Sequence, residues 1–240
     1  MRVALLSDIH ANLPALEAIL GALAPYDAVW HLGDCVGYGP DPDAVVDRLR
    51  AEDALGVRGN HEAATLGRIE ASWFNDDARA AIVWTAAHIS DRTRAWLAEQ
   101  PERRTEDRFT LVHGSPRDPT WEYVHSAAVA RANLALLETP HALLGHTHDP
   151  RAFREDDGRV ETLAPAPGSH LQLDERPTLI NPGSVGQPRD GDPRASAALL
   201  DTEARTVGWI RVAYDIAAVQ ARMRSADLPG RLIARLEVGR

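Results

Sequence analysis

Apolar residues along this chain arrive in short runs that stop abruptly at glycine, aspartate or histidine, and between those runs they recur at helical spacing. Residues 2–7 read as a buried strand, and 13–24 as a helix with Leu13, Leu16, Ile19, Leu20 and Leu23 on one face and Pro14 in its first turn. Residues 29–32 form a second short strand that ends at Gly33-Asp34. Asp41-Pro42-Asp43 then opens a helix through Arg50, with Val45, Val46 and Leu49 on its apolar face. A third strand, 54–57, leads into Gly59-Asn60-His61. This alternation is the pattern of βαβ units.

The stretch 62–100 reads as helical, with one segment capped by Asn75-Asp76-Asp77 and a second carrying Trp96 and Leu97. Strands return at 109–112 and 142–144, with a helix over 127–137 between them. After residue 150 the style changes. Runs at 159–163, 178–181, 195–200 and 207–214, punctuated by proline and glycine, predict antiparallel strands, and helices over 215–225 and 229–236 close the chain. A layered α/β sandwich is the expected fold. With no internal repeat, low-complexity tract or linker, residues 1–240 are expected to form a single domain.

Composition narrows the classes of function. No apolar run approaches the roughly 18–20 residues that span a bilayer, and Asp8 and His10 cut the N-terminal run too short for a signal peptide. A cytoplasmic protein without membrane contact is the expectation. One cysteine, Cys35, excludes an intrachain disulfide framework and is expected in the core. The net charge of −9 argues against general nucleic-acid binding, which wants a basic face. All 26 basic residues are arginine. Oligomeric state is left open.

The candidate chemistry lies at the stops. In order they read Asp8-Ile-His10, Gly33-Asp34, Gly59-Asn60-His61-Glu62, His113-Gly114 and Gly145-His146-Thr147-His148. If Asp8 and His10 continue a strand, alternation puts both on one face and lets them reach one ion. Asp34 has two oxygens and a full charge, which suits it to bridge two cations. Asn60 offers a neutral amide oxygen, and His146 and His148 can each turn a ring to a different ion. Mixed oxygen and nitrogen donors without thiolate suit Mn²⁺, Fe, Zn²⁺, Co²⁺ or Ni²⁺ better than Ca²⁺ or structural Zn²⁺. Each piece alone is weak, since Gly-Asp usually marks a turn. Five pieces in fixed order are specific.

That ordered set resembles the calcineurin-like metallophosphoesterase superfamily over residues 1–150, and Asn181-Pro182-Gly183-Ser184-Val185-Gly186 resembles its small bacterial and archaeal phosphoesterases. The resemblance implies a four-layer α-β-β-α metallophosphoesterase sandwich, two mixed sheets flanked by helices. It implies one divalent ion held by Asp8, His10, Asp34 and His148, and another by Asp34, Asn60, His113 and His146, with manganese first among the metals. His61 is left as the catalytic histidine beside the leaving group. The implied reaction is hydrolysis of small phosphomonoesters or phosphodiesters, nucleotides among them, by in-line attack of a metal-bridging hydroxide. Dinucleoside polyphosphate hydrolysis is one alternative. A non-catalytic scaffold of the same fold is another, disfavoured because His61 and all seven ligand positions are present.

The eukaryotic-type protein phosphatases and the related symmetrical dinucleoside-polyphosphate hydrolases follow Gly-Asp with Val-Asp-Arg-Gly. Here Cys35-Val36-Gly37-Tyr38 follows and lacks that arginine, which argues against protein phosphatase activity of that type. Asn12, Tyr38, Arg58 and Arg117 adjoin motif pieces and are candidate substrate contacts, each with a competing reading as cap, packing or solvated charge. Gly183-Ser184-Val185-Gly186 lacks the spacing of a serine nucleophile elbow, and Gly37-Tyr38-Gly39 is too short for a dinucleotide fingerprint.

Overall fold

Strand alternation gives each sheet one face for its partner and one for a helix, and the computed structural model, which describes residues 1–240, is built that way. The chain begins β1 (Arg2–Leu6), α1 (Leu13–Leu23), β2 (Ala28–His31), α2 (Pro42–Ala51), β3 (Leu55–Gly56) and α3 (Asn60–Thr65). One turn of 3₁₀ helix at Ala71–Trp73 precedes α4 (Asp76–His88) and α5 (Asp91–Glu99). Then come β4 (Arg103–Glu106), β5 (Phe109–Val112), α6 (Ala127–Leu134), β6 (His141–Leu143), β7 (Arg151–Asp156), β8 (Arg159–Leu163) and β9 (His170–Gln172). The chain ends with β10 (Thr178–Asn181), β11 (Ala195–Asp201), β12 (Thr206–Val212), α7 (Ile216–Ser225) and α8 (Gly230–Arg235).

Two mixed six-stranded sheets result, ordered β3-β2-β1-β11-β12-β9 and β4-β5-β6-β10-β7-β8. Strands β1, β2 and β3 run parallel, as do β5, β6 and β10; the remaining pairs are antiparallel. Val3, Leu5, Trp30, Leu200 and Trp209 of the first sheet meet Phe109, Leu111, Leu143 and Ile180 of the second. The opposite face of β1, Ala4 and Leu6, packs on Leu16, Ile19 and Leu20 of α1. On the far side, α6 lays Ala130 and Leu134 against Val112, Phe153 and Leu179. The order is helix, sheet, sheet, helix, the expected four-layer sandwich.

Pro14 sits at the start of α1, and Asn12 caps that helix by accepting the Ala15 N–H at 3.2 Å. The expected cap at Asn75 is present too, its Oδ1 taking the Ala78 N–H at 3.0 Å. Cys35 is buried, its Sγ 3.3 Å from Nδ1 of His31. No helix is long and apolar enough to cross a membrane.

Three strands escape the sequence reading. Strand β4 is Arg-Arg-Thr-Glu at a sheet edge, β7 carries charge at both ends, and β9 is a three-residue edge strand. None has the apolar pattern that marks the central strands. The helix expected over 127–137 stops at Leu134, and β1 stops at Leu6. That last boundary matters, because Asp8 and His10 are not strand residues.

Candidate metal centre and active-site cleft

The candidate ligands follow the ends of parallel strands in both sheets: Asp8 after β1, Asp34 after β2, Asn60 after β3, His113 after β5, and His146 and His148 after β6. Asp8, His10, Asp34, His146 and His148 all have left-handed backbone, with φ of 52°, 49°, 52°, 66° and 59°. Such backbone costs on the order of 1 kcal/mol per residue and persists only where the surroundings impose it. Asp8 and His10 therefore converge through a tight turn and not through the alternation of a strand.

Seven side chains meet in two overlapping groups. In the first, Nε2 of His10 lies 3.2 Å from Nε2 of His148, 3.7 Å from Oδ2 of Asp34 and 4.0 Å from Oδ1 of Asp8. His148 Nε2 is 3.2 Å from the same Asp8 oxygen. In the second, Nε2 of His113 lies 3.3 Å from Oδ2 of Asp34, 3.0 Å from Oδ1 of Asn60 and 3.0 Å from Nδ1 of His146. Oδ2 of Asp34 belongs to both. All seven residues are buried.

Hydrogen bonding on the outer side of each ring fixes what the inner side offers. Nδ1 of His10 faces the Val36 carbonyl at 3.2 Å, Nδ1 of His113 the Leu32 carbonyl at 2.8 Å, and Nδ1 of His148 the Gln187 carbonyl at 2.5 Å. A carbonyl only accepts, so each ring carries a proton on Nδ1 and, in its neutral form, turns a bare lone pair on Nε2 inward. The carboxylates are divided in the same way. Oδ2 of Asp8 accepts from Ser7 Oγ at 2.6 Å and from the His146 N–H at 3.0 Å, which leaves a buried Oδ1 without a hydrogen-bond partner. Oδ1 of Asp34 accepts the His61 N–H at 2.9 Å, while Oδ2 faces the rings. Lone pairs packed against lone pairs repel unless a cation lies between them, so this donor set fits two divalent ions.

Charge within the cluster is balanced accordingly. Burial raises the Asp8 carboxyl, but His148 and His113 outweigh it, and the group ends below its ordinary value. Burial acts the same way on Asp34 and is overcome by His113 and His61. For His10 burial, reinforced by His61, pushes the pKa well below the usual range; burial also lowers His148 and His146. His113 differs. Burial lowers it, yet the carboxylates of Asp34 and Asp8 carry it up to about 9. It is the ring most in need of a neighbouring cation to displace its proton.

Supporting contacts hold this arrangement. Glu62, buried on α3, accepts the N–H groups of Asp34 and Gly59 at 2.8 Å each and of Val36 at 3.0 Å, tying the β2 loop to the Asn60 turn. A Cβ at Gly59 would run into Asp34, so only glycine lets these two loops close. From the Asn181–Gly186 turn, Ser184 donates to the Asp8 carbonyl at 2.8 Å, and Asn181 donates to the Gly145 carbonyl at 2.8 Å.

His61 stands at the edge of the cluster, its ring centroid 4.8 Å from His10, 4.3 Å from Tyr38 and 5.3 Å from Phe74. Its Nδ1 is buried without a partner against Gly37, whose φ of +84° and missing Cβ make room for the ring. Nε2 is the nitrogen left to face the cleft. Burial lowers its pKa to about 4, with Arg189 adding to the effect against Asp34, so the ring is neutral near pH 7.

A cleft of about 800 Å³ opens above Asp34, Asn60, His61, His146 and His148. Of the four candidate substrate contacts, only Tyr38 lines it. Asn12 caps α1 and donates to the Gly186 carbonyl at 3.0 Å. Arg58 binds the Gln100 carbonyl at 3.0 Å and Glu102 at 2.7 Å, and Arg117 is clamped on Glu122. The structure thus corrects these three: sequence adjacency to a motif does not aim a long side chain at the site. The walls instead come from residues that were not anticipated, namely Trp73, Phe74, Trp121 and Tyr123 on one side and Arg189, Arg231 and Arg235 on the other. Tyr123 stacks on His146 with centroids 3.8 Å apart.

Known proteins share this architecture. The calcineurin-like phosphoesterase superfamily domain matches residues 1–205. A metallophosphoesterase from Sphaerobacter thermophilus superposes with a TM-score of 0.92 at 44% identity, covering 100% of this chain and 99% of that one. The uncharacterized protein MJ0912 of Methanocaldococcus jannaschii is 34% identical over 99% of this chain and 98% of its own length. Phosphodiesterase YfcE of Escherichia coli is 29% identical over 86% of this chain and 91% of its own.

Proposed function

We propose that this chain, which belongs to the calcineurin-like phosphoesterase superfamily, hydrolyses small phosphomonoesters or phosphodiesters with the aid of two divalent ions, manganese foremost. The observation that carries the reading is the inward set of bare donors: three imidazole Nε2 atoms committed by their Nδ1–carbonyl bonds, together with the partnerless Oδ1 of Asp8 and the shared Oδ2 of Asp34. Asp8, His10, Asp34 and His148 would hold one ion, and Asp34, Asn60, His113 and His146 the other. When bound, the ions supply Lewis acidity that neutralises phosphoryl oxygens and lowers the pKa of water.

The chain's own residues do the rest. Glu62 and Ser184 keep the loops of Asp34 and Asp8 in place, so the donors need little rearrangement. His61 presents Nε2 to the cleft and donates to the leaving oxygen as charge develops there. Tyr38 and Phe74 confine that ring, and Tyr123 covers His146. The relationship to phosphodiesterase YfcE supports including diesters among the substrates. The test is hydrolysis by metal-defined protein of a panel holding an aryl monoester, an aryl diester, a cyclic nucleotide and a dinucleoside tetraphosphate. Turnover of at least one with Mn²⁺ is expected, and none with any of them would leave a non-catalytic fold.

A further inference from the structure

We propose that Trp73 and Trp121 set the specificity of this site by stacking on an uncharged, planar aromatic ring carried by the leaving alcohol of the phosphoester; this rests on the hydrolase reading above. A file of aromatic rings leads from His61 to the mouth of the cleft. Between centroids, His61 lies 5.3 Å from Phe74, Phe74 lies 4.9 Å from Trp121, and Trp121 lies 6.0 Å from Trp73. Trp121 is also 6.4 Å from His146, which Tyr123 covers. Trp73 ends the file with 64% of its surface exposed.

Packing does not account for these positions. Of the six tryptophans, Trp30 and Trp209 fill the space between the sheets, and Trp84 and Trp96 pack against other apolar clusters. Trp73 and Trp121 join none of those clusters, and both line the cleft. A contiguous aromatic surface turned to a cavity marks a wall that contacts a ligand.

The loop after β5 that presents Trp121 is closed on itself. Between Trp121 and Tyr123, Glu122 accepts from Ser115 Oγ at 2.6 Å, from Asn133 Nδ2 of α6 at 2.8 Å and from Arg117 Nε at 3.1 Å. Oδ1 of Asp118 accepts the Trp121 N–H at 3.1 Å, and the Gly114 N–H donates to the Pro119 carbonyl at 2.7 Å. A Cβ at Gly114 would lie 2.6 Å from the Asp118 carbonyl oxygen, so this closure needs glycine. Arg117, the one basic residue of 114–123, is drawn onto Glu122, which leaves the wall itself apolar. A platform fixed before binding loses little ordering entropy when a ligand arrives.

The place of the ring in the substrate follows from His61. Hydrolysis joins the oxygen of water to phosphorus and breaks the bond to the ester oxygen. The electron pair stays on that oxygen, which takes a proton originating in the water and departs as the alcohol. His61 stands where the ester oxygen leaves, and Phe74 adjoins His61. The group on that oxygen therefore runs over Phe74 and meets Trp121 and Trp73, whose indole faces hold a flat π-system by offset stacking.

The test sets phenethyl phosphate against cyclohexylethyl phosphate. Their alcohols have the same chain and nearly the same basicity, and only one carries a flat ring. A wall that is merely apolar would favour the saturated ring, which has the larger apolar surface. Mn²⁺-loaded wild type is expected to favour the aromatic ester about three- to tenfold in kcat/KM. Trp73→Leu should bring that preference below about twofold and Trp73→Phe should keep most of it. Trp73 is exposed on a single turn of helix, so the fold does not depend on its side chain. Calorimetry with the two non-hydrolysable phosphonates of the same alkyl groups should show the same preference in Kd. Equal kcat/KM for the two esters, or a preference that survives W73L, would overturn the proposal and leave the hydrolase reading standing. Turnover of neither ester, with a phosphonate preference that W73L abolishes, would remove the hydrolase reading and keep the stacking wall. Turnover of neither ester and equal phosphonate affinities would remove both.

Discussion

Nε2 of His10 and Nε2 of His148 lie 3.2 Å apart, although the opposite nitrogen of each ring is turned onto a backbone carbonyl that can only accept. Neither inner nitrogen has a proton to share, so the short approach is not a hydrogen bond. It is a pair of lone pairs awaiting a cation, with the bare Oδ1 of Asp8 at 3.2 Å from one of them. His113 and His146 bring a second pair of ring nitrogens within 3.0 Å, and Oδ2 of Asp34 joins the two groups.

Asp34→Asn removes the shared negative oxygen while keeping its size. Metal analysis of purified protein should show two ions per chain in wild type and one or none in D34N, with turnover down by at least ~100-fold. Unchanged occupancy would refute the bridging role.

His61→Ala separates metal binding from proton handling. Because the ring stands beside the cluster and Asn60 supplies the neighbouring donor, H61A should keep its metal content and lose ~10²–10⁴-fold in kcat. A variant that turns over normally would remove His61 from the chemistry.

Much of this site was legible in the sequence because the ligands lie within a few residues of strand ends, and strands announce themselves by apolar runs. The layered α/β character followed from the same runs, and the helix-sheet-sheet-helix order from the family resemblance. What could not be read was direction. Asp8 and His10 meet through left-handed backbone that the residue types do not signal, and the expectation of strand alternation was wrong in its reason. Arg58 and Arg117 adjoin motifs but swing to Glu102 and Glu122. Arg189, Arg231 and Arg235 meet only because α7 and α8 pack with α4 and Tyr38 through Val219, Met223, Leu232 and Leu236, a tertiary contact with no local signature.

Glu62→Gln tests the support beneath the ligands. Its carboxylate accepts three buried N–H groups, and an amide would turn a donor toward at least one of them. Urea unfolding should show a loss of ~1–3 kcal/mol, accompanied by weaker metal binding. A variant as stable as wild type would show that the three contacts are dispensable.

His31 gives the fold a pH dependence apart from the metal ligands. Burial, then Arg104, lowers its pKa to about 3, against about 6.5 in the unfolded chain. Below that unfolded value the unfolded chain binds a proton the native ring refuses. Its contribution is therefore complete above about pH 6.5 and is lost as pH falls toward 3. The stability difference between wild type and H31Q should shrink by about 1.4 kcal/mol per pH unit in that window, read from urea midpoints at about pH 7, 6 and 5. A constant difference would place the His31 proton elsewhere.

The most direct measurement of the central claim is the initial rate of aryl phosphoester hydrolysis as metal-free protein is titrated with Mn²⁺. Two overlapping sites sharing Asp34 predict no turnover at the start, a rise that steepens after the first equivalent, and a plateau near two ions per chain. A rate that stays at zero at every Mn²⁺ level, or one already maximal without metal, would contradict the account.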